Sequence, residues 1–276
     1  MPHEFVYALS LCYLIYIMNL KNKKSGYITI TLVSISVIAG VLMLDPIAQD
    51  PEYHQFIDRR NIFSIPNFWN VISNLPFLLV GVMGLYRIFY SHKIRLIASI
   101  KAAYIMFFLG VSLVTFGSAY YHLWPGNMSL VWDRLPMTIA FMALFSIIIC
   151  EFVSLNLGKV LLWPLIIFGV FSVFYWYSTE VKGEGDLRFY VLVQFLPVLL
   201  IPLILLFFNS IFTETKAYWF LLCAYALAKI LEYFDEVVYN VLFLFSGHSL
   251  KHVVVVLGVS FLLKAYSNRQ TIHSDT

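Results

Sequence analysis

Nine long apolar segments run through the sequence, and they constrain its fold more than any other feature. Each approaches the roughly 20 mostly apolar residues that a helix needs to cross the ~30 Å hydrocarbon core of a bilayer. A spanning segment must satisfy its own backbone hydrogen bonds, which a helix does. The segments are residues 4–20, 27–44, 69–90, 99–122, 134–153, 159–178, 187–208, 217–240 and 248–266.

The composition agrees with a chain surrounded by lipid. Hydrophobic residues make up 61% of the 276 residues and charged residues 12%, whereas soluble domains average about 45–50% and 25%. A net charge of only +3 gives no electrostatic footprint for nucleic acid, so we expect no such partner. No cleavable signal peptide is expected either, because the first residues carry no basic region. The sequence therefore predicts an all-α integral membrane protein.

The longest connection between apolar segments divides the chain into parts. It runs from Asp45 to Phe68 and contains acidic, basic and proline residues. We expect residues 1–44 to form an N-terminal transmembrane helix pair and residues 45–68 an outer-side loop. Residues 69–266 would form a seven-transmembrane-helix core, followed by a cytoplasmic tail at 267–276.

The distribution of lysine and arginine predicts the orientation. With the N-terminus outside, the inner loops hold eleven of these residues and the outer loops six. Basic loops stay on the cytoplasmic side. The expected topology is therefore N-terminus outside and C-terminus cytoplasmic.

Three of the seven histidines fall at one predicted depth, the outer membrane face. His122 ends the fourth segment, and His248 and His252 open the ninth on one helical face. Paired imidazoles at this spacing bind zinc in H-E-x-x-H sites. Three protein ligands leave a position for the water of a catalytic zinc, whose pKa then falls to about 7. The alternative is three interfacial histidines bonded to headgroups or neighbouring helices.

Two further residues are expected at the same level. Ser118 precedes His122 by one helical turn, and Asp133 begins the next segment. A carboxylate there can act as a general base or orient a histidine, and a serine can hold a water or an oxyanion. Alternatively, Ser118 bonds back to its own helix and Asp133 only complements a helix dipole.

A polar stripe begins the third segment, where lipid would reject it. Asn67, Asn70, Ser73 and Asn74 recur at helical spacing, so their face should point into the bundle or a wet cavity. Pro76 should kink this helix.

For the other ionisable residues the sequence leaves several roles open. Asp186 and Arg188 would line a substrate entrance or lie in a solvated loop. The eighth segment would hold a buried ion pair with interfacial acids, support for the metal, or a proton path. Its charged residues are Lys229, Glu232, Asp235 and Glu236.

In order, spacing and position, several motifs resemble the alkaline ceramidase family. They are FWNVISNLPFLLVGVMGL, the SxxxH of Ser118 to His122, the WDRLPM that contains Asp133, and the HxxxH of His248 to His252. That family belongs to a group of seven-helix membrane hydrolases with adiponectin receptors and Per1-type lipid-remodelling proteins. The resemblance covers about residues 53–266. It implies a zinc ion held by the three histidines, Ser118 and Asp133 beside the zinc water, and hydrolysis of ceramide to a sphingoid base and a fatty acid.

The sequence departs from the animal enzymes of this family before the first core helix. They carry an acidic calcium-binding segment there, with a glutamate where this chain has Asn67. Arg59 and Arg60 would oppose a cation, so we do not predict calcium.

Alternative functions follow from the same residues. A zinc-dependent lipid ester or phospholipid hydrolase would use the same centre, and a lipid-sensing receptor would bind without turnover. A transporter or proton channel would need polar residues through the whole membrane and often a repeated fold. By sequence the charges stop in the outer halves of the segments and the inner halves are apolar, which argues against transport. The oligomeric state is left open.

Overall fold

A computed structural model describes residues 22–272, and this part of the chain is all-α. It contains ten α-helices joined by short 3₁₀ and π-helical turns, with no strand between residues 22 and 272. The helices are α1 Lys23–Met43, α2 Phe68–Ile72, α3 Leu75–Tyr86, α4 Lys101–Leu123, α5 Asn127–Ile148, α6 Leu155–Val181, α7 Arg188–Phe207, α8 Lys216–Tyr233, α9 Asp235–Leu242 and α10 Gly247–Asn268.

Seven helical segments of this part are long and apolar enough to cross a membrane. An eighth is added if the bent pair α8–α9 counts as one span. The predicted multi-pass, all-α membrane architecture is therefore confirmed. The predicted segment at 4–20 lies outside the described residues. Its expected partner, α1, packs against α7 and fully buries only Gly26, so most of its surface faces outward.

Helices α4 and α5 form the centre of the bundle, and a glycine lets their backbones touch beside the histidines. A Cβ added to Gly117 would lie 2.0 Å from the carbonyl oxygen of Trp132 and 3.3 Å from Cα of Asp133. No side chain fits such a gap. This contact brings the end of α4, with Ser118 and His122, against the beginning of α5, with Asp133.

The eighth predicted segment is not one straight helix. Residues 217–240 divide into α8 and α9, which meet at an 80° bend around Phe234. Asp235 lies at this break, and its carboxylate accepts a hydrogen bond of 2.7 Å from the backbone N–H of His248. Asp235 therefore helps to fix the start of α10, and the prediction of one continuous helix over residues 217–240 was wrong.

The third predicted segment is broken close to Pro76, where the proline predicted a kink. Helix α2 ends at Ile72, Ser73 and Asn74 lie between the two helices, and Pro76 occupies the first turn of α3. A proline is tolerated in a first turn because its missing N–H has no helical acceptor there.

The end of the bundle opposite the histidines holds a buried ion pair. Glu151 accepts 2.7 Å and 2.6 Å hydrogen bonds from Arg269 and the Tyr104 hydroxyl on one oxygen, and a 2.8 Å bond from Tyr218 on the other. The expectation of apolar inner halves is therefore wrong at Glu151. Glu151 lies near the end of the fifth predicted segment, where a π-helical turn and Arg269 enclose it.

Candidate metal centre

The three predicted histidines converge at one end of the bundle. His122, His248 and His252 are all buried, and each offers a ring nitrogen within 4.8 Å of those of the other two. Their ring centroids are 4.9–5.3 Å apart. Residues from the end of α4 and the start of α10, more than 120 positions apart, thus surround one ion-sized point. The shared depth inferred from the sequence is confirmed.

Local structure at the start of α10 fixes two of these histidines. The Ser246 hydroxyl caps the helix by accepting from the N–H of Ser249, and Asp235 accepts from the N–H of His248. Gly247 allows close approach, since a Cβ there would lie 2.0 Å from the carbonyl oxygen of Leu231. The helix therefore begins at a position that brings His248 and, one turn later, His252 into the bundle.

Ser73 determines the orientation of the His252 ring. Its hydroxyl lies 2.8 Å from Nδ1 of His252, which leaves Nε2 for another partner. Metal-binding histidines characteristically use their second nitrogen in such a bond, which fixes the tautomer. Ser73 belongs to the polar stripe, but its bond to a site histidine was not anticipated.

The donor set fits a metal ion. Nδ1 of His122 and Nε2 of His248 are buried and, among residues 22–272, have no hydrogen-bond partner. Buried polar atoms normally have one. Imidazole suits zinc, copper, iron and nickel, and three such ligands leave an open position as in catalytic zinc sites.

Asp133 and Ser118 lie beside the histidines. Both are buried and line the same cavity as the three rings. Helix α5 begins at Asn127, so Asp133 is in its second turn and not at its start. This position does not fit the alternative in which Asp133 only complements the dipole at the start of a helix.

The loop at residues 45–68 covers the site through a residue that had no predicted role. The Phe56 ring packs against His122 and His248, with centroids 4.8 Å and 5.0 Å away. His54, in the same loop, bonds Tyr121 and Asn127 at 3.0 Å and 2.9 Å. No local pattern links residues so distant in sequence, so only the hydrophobicity of Phe56 within a polar loop hinted at this role.

A cavity of about 340 Å³ extends from the histidines into the bundle. Ser118, His122 and Asp133 line one end, and Tyr218 lies at the other, beside the buried Glu151. Apolar side chains form most of the wall between these ends. They include Phe107, Val111, Phe141, Leu144, Ile148 and Leu221.

The polar stripe points inward, as predicted, and ties elements around the site. Asn67 donates to the carbonyl oxygen of His122 at 2.7 Å, and Asn70 accepts a 2.8 Å bond from Ser249. Asn74 lines the cavity, and its side-chain oxygen is buried and has no hydrogen-bond partner among the described residues. The stripe therefore holds the ends of α4 and α10 together.

The predicted pair of Lys229 and Glu232 is present at 2.6 Å, and Lys251 shares the same carboxylate. All three line the cavity, so they belong to the site's surroundings. The sequence did not single out Lys251, although it lies within the HxxxH motif.

Neither Asp186 nor Arg188 lines the cavity. The two side chains form an ion pair with each other. Asp186 is buried and pairs with Arg188 at 2.9 Å, and Arg188 also donates to the carbonyl oxygen of Leu44 after α1. Burial opposes ionisation of Asp186, but the hydrogen bonds from Arg188 and Tyr175 outweigh it and lower the pKa of Asp186. The expectation of solvation is therefore wrong for Asp186, which is buried, whereas Arg188 stays partly exposed. The pair anchors α1 to the core.

Comparison with known proteins adds no family assignment. A scan of the sequence against protein-family models finds no match, and a search among curated proteins finds no relative. The resemblance to alkaline ceramidases therefore stays a prediction based on its short motifs.

Proposed function

We propose that this protein is a zinc-dependent intramembrane hydrolase of acyl lipids, and that its substrate is a ceramide-like amide. The observation that carries the proposal is the convergence of His122, His248 and His252 at the end of an apolar cavity, beside a carboxylate. A purely structural histidine cluster would need no such cavity.

The chemistry divides between the metal and the chain. Zinc would supply a Lewis acid that polarises the acyl carbonyl and lowers the pKa of water. Asp133 would accept the proton of the attacking water, and Ser118 would hold that water or donate to the developing oxyanion. The Ser73 hydroxyl beside Nδ1 would hold the His252 ring with Nε2 toward the metal, and Phe56 would shield the centre from bulk solvent.

The cavity supports a substrate with a long acyl chain. Its size falls within the about 300–1,000 Å³ of typical ligand pockets, and its apolar walls match a hydrocarbon chain. The amide linkage and the sphingoid headgroup come from the motif resemblance. An ester or phospholipid substrate would use the same residues, so the substrate panel must include both linkages.

Metal analysis and a lipid panel test the proposal together. We expect the purified protein to hold about one zinc per chain and to hydrolyse at least one long-chain lipid amide, with loss of turnover after chelation. His252→Ala should lose zinc and turnover together. His92→Asn is the matched control: His92 lies in an exposed loop at positive φ, which asparagine tolerates.

Two results would contradict the proposal. Retention of stoichiometric zinc in His252→Ala would show that these histidines are not its ligands. A zinc-loaded wild-type protein that hydrolyses no amide or ester across varied headgroups would favour the receptor alternative.

A further inference from the structure

One buried arginine in the cavity wall, Arg134, has no carboxylate partner. It follows Asp133 on α5 and is 5% exposed. Its Nη2 donates to the side-chain oxygen of Gln49 at 2.7 Å, whereas Nη1 is buried and has no hydrogen-bond partner among residues 22–272. Its guanidinium carbon lies 4.2 Å and 4.5 Å from the ring centroids of Trp176 and Tyr190. The two rings hold the cation in place without neutralising it.

Arg134 differs from three other arginines of this fold, each of which has a carboxylate partner. A buried charge without a partner is costly, which is why buried ions are normally paired. No carboxylate oxygen of the described residues lies within 4.0 Å of the Arg134 nitrogens. Three other arginines each have one at 2.6–2.9 Å: Arg60 with Asp58, Arg188 with Asp186, and Arg269 with Glu151.

The same region of the cavity carries two more cations. Lys229 and Lys251 share the single carboxylate of Glu232. The cavity wall thus holds three cations against two carboxylates, Glu232 and Asp133, and has one positive charge in excess. Arg134 lies 5.9 Å from the ring of Tyr53. Tyr53 lines the same cavity as Arg134 and the Lys229, Glu232 and Lys251 cluster. These groups therefore face a common space.

We propose that this space is a headgroup subsite for an acyl lipid whose headgroup carries a phosphate. Nη1 of Arg134 would donate to the anion, and Lys251 and Lys229 would supply the surrounding positive potential. Arginine suits this task because its guanidinium stays charged when buried and matches oxyanion geometry. The inference rests on the proposed function in taking the apolar cavity as the acyl-chain site, and it narrows the substrate to an anionic lipid.

Binding of matched twelve-carbon amphiphiles tests the subsite without any turnover. Purified wild-type protein in maltoside micelles is titrated with dodecyl phosphate, dodecanoate and dodecanol. We expect dodecyl phosphate to bind at least tenfold more tightly than dodecanol. Arg134→Gln should remove this difference and leave dodecanol binding unchanged, which also shows that the variant is folded.

Two further variants sharpen the comparison. Lys251→Gln leaves Glu232 paired with Lys229, so it should weaken dodecyl phosphate binding by several-fold without disturbing the fold. Lys182→Gln removes a charge from an exposed loop outside the cavity and should change nothing.

The outcomes separate this inference from the proposed function. Equal affinity for dodecyl phosphate and dodecanol would overturn the subsite, even if the protein hydrolyses neutral lipid amides. Dependence of dodecanoate binding on Arg134, without such dependence for dodecyl phosphate, would assign the cation to the fatty-acid product and also overturn it. Arg134-dependent binding of dodecyl phosphate by a protein without hydrolytic activity would support the subsite and count against the hydrolase.

Discussion

At the scale of single residues, the ring nitrogens of the three histidines differ in what they contact. Nδ1 of His252 is bonded to Ser73, while Nδ1 of His122 and Nε2 of His248 have no partner among the described residues. An imidazole with one nitrogen fixed by a hydrogen bond presents the other in a defined tautomer. Ser73 is therefore a positioning residue for the proposed metal.

Removal of the Ser73 hydroxyl should weaken zinc binding without removing a ligand. We expect Ser73→Ala to lower zinc affinity by about 10–100-fold, the usual effect of losing such a supporting contact. Competition with a zinc chelator measures this. Ser260→Ala is the matched control, because Ser260 lies on α10 and bonds only to its own helix. An unchanged affinity in Ser73→Ala would show that the bond to His252 has no bearing on the metal.

Asp133 should be separable from the metal ligands. Asp133→Asn keeps the shape of the side chain and removes the base. We expect zinc to stay bound while turnover falls by roughly 10²–10⁴-fold, the usual contribution of general acid–base catalysis. Ser118→Ala should lose about 10²–10³ in rate if it donates to the oxyanion. Full hydrolysis by zinc-loaded Asp133→Asn would leave Asp133 without a chemical role.

At the scale of helices, the site depends on two places where backbones touch. Gly117 joins α4 to α5 and Gly247 joins the start of α10 to the end of α8. These contacts explain why residues of three separate helices meet at one depth. Neither contact is visible in the hydrophobic pattern. A glycine inside an apolar segment predicts only a close approach of another part of the chain, and does not say which part.

Alanine at Gly117 should be destabilising, although alanine normally favours a helix. Its Cβ would lie 2.0 Å from the Trp132 carbonyl oxygen, so α4 and α5 must separate. We expect a loss of about 1–3 kcal/mol in the free energy of unfolding, typical of overpacking, with weaker zinc binding. Gly40→Ala, which meets no atom within 4 Å, should be neutral or stabilising. Equal stabilities of the two variants in thermal unfolding would contradict this explanation.

Helix positions and the histidine cluster were predictable from sequence, whereas the surroundings of the cluster were not. Apolar length gave the spans, and shared depth with i, i+4 spacing gave His122, His248 and His252. The bend at Phe234 was missed because the local hydropathy continues through it. Phe56 and Arg134 were missed because their roles arise from contacts between distant segments, and such contacts leave no periodic pattern in the chain.

At the scale of the whole molecule, the two ends of the bundle differ. One end holds the histidines, the polar stripe and the cation-rich cavity mouth. The other is closed by Glu151 and Arg269, which lie among tyrosine hydroxyls. A cavity with its chemistry at one end fits hydrolysis at one membrane face, and the excess of basic residues in the opposite loops predicts that this face is the outer one.

Cysteine labelling from each side of the membrane tests this orientation. Lys93→Cys and Gly126→Cys lie in exposed connections at opposite ends of α4, in a background with the native cysteines replaced. A membrane-impermeant maleimide should label position 126 in right-side-out vesicles and position 93 only in inside-out vesicles. Labelling of both after solubilisation is the control for reactivity. Reaction of both positions from one side would mean that α4 does not cross the membrane. A reversed pattern would keep the fold but place the histidine centre at the cytoplasmic face, against the distribution of lysine and arginine.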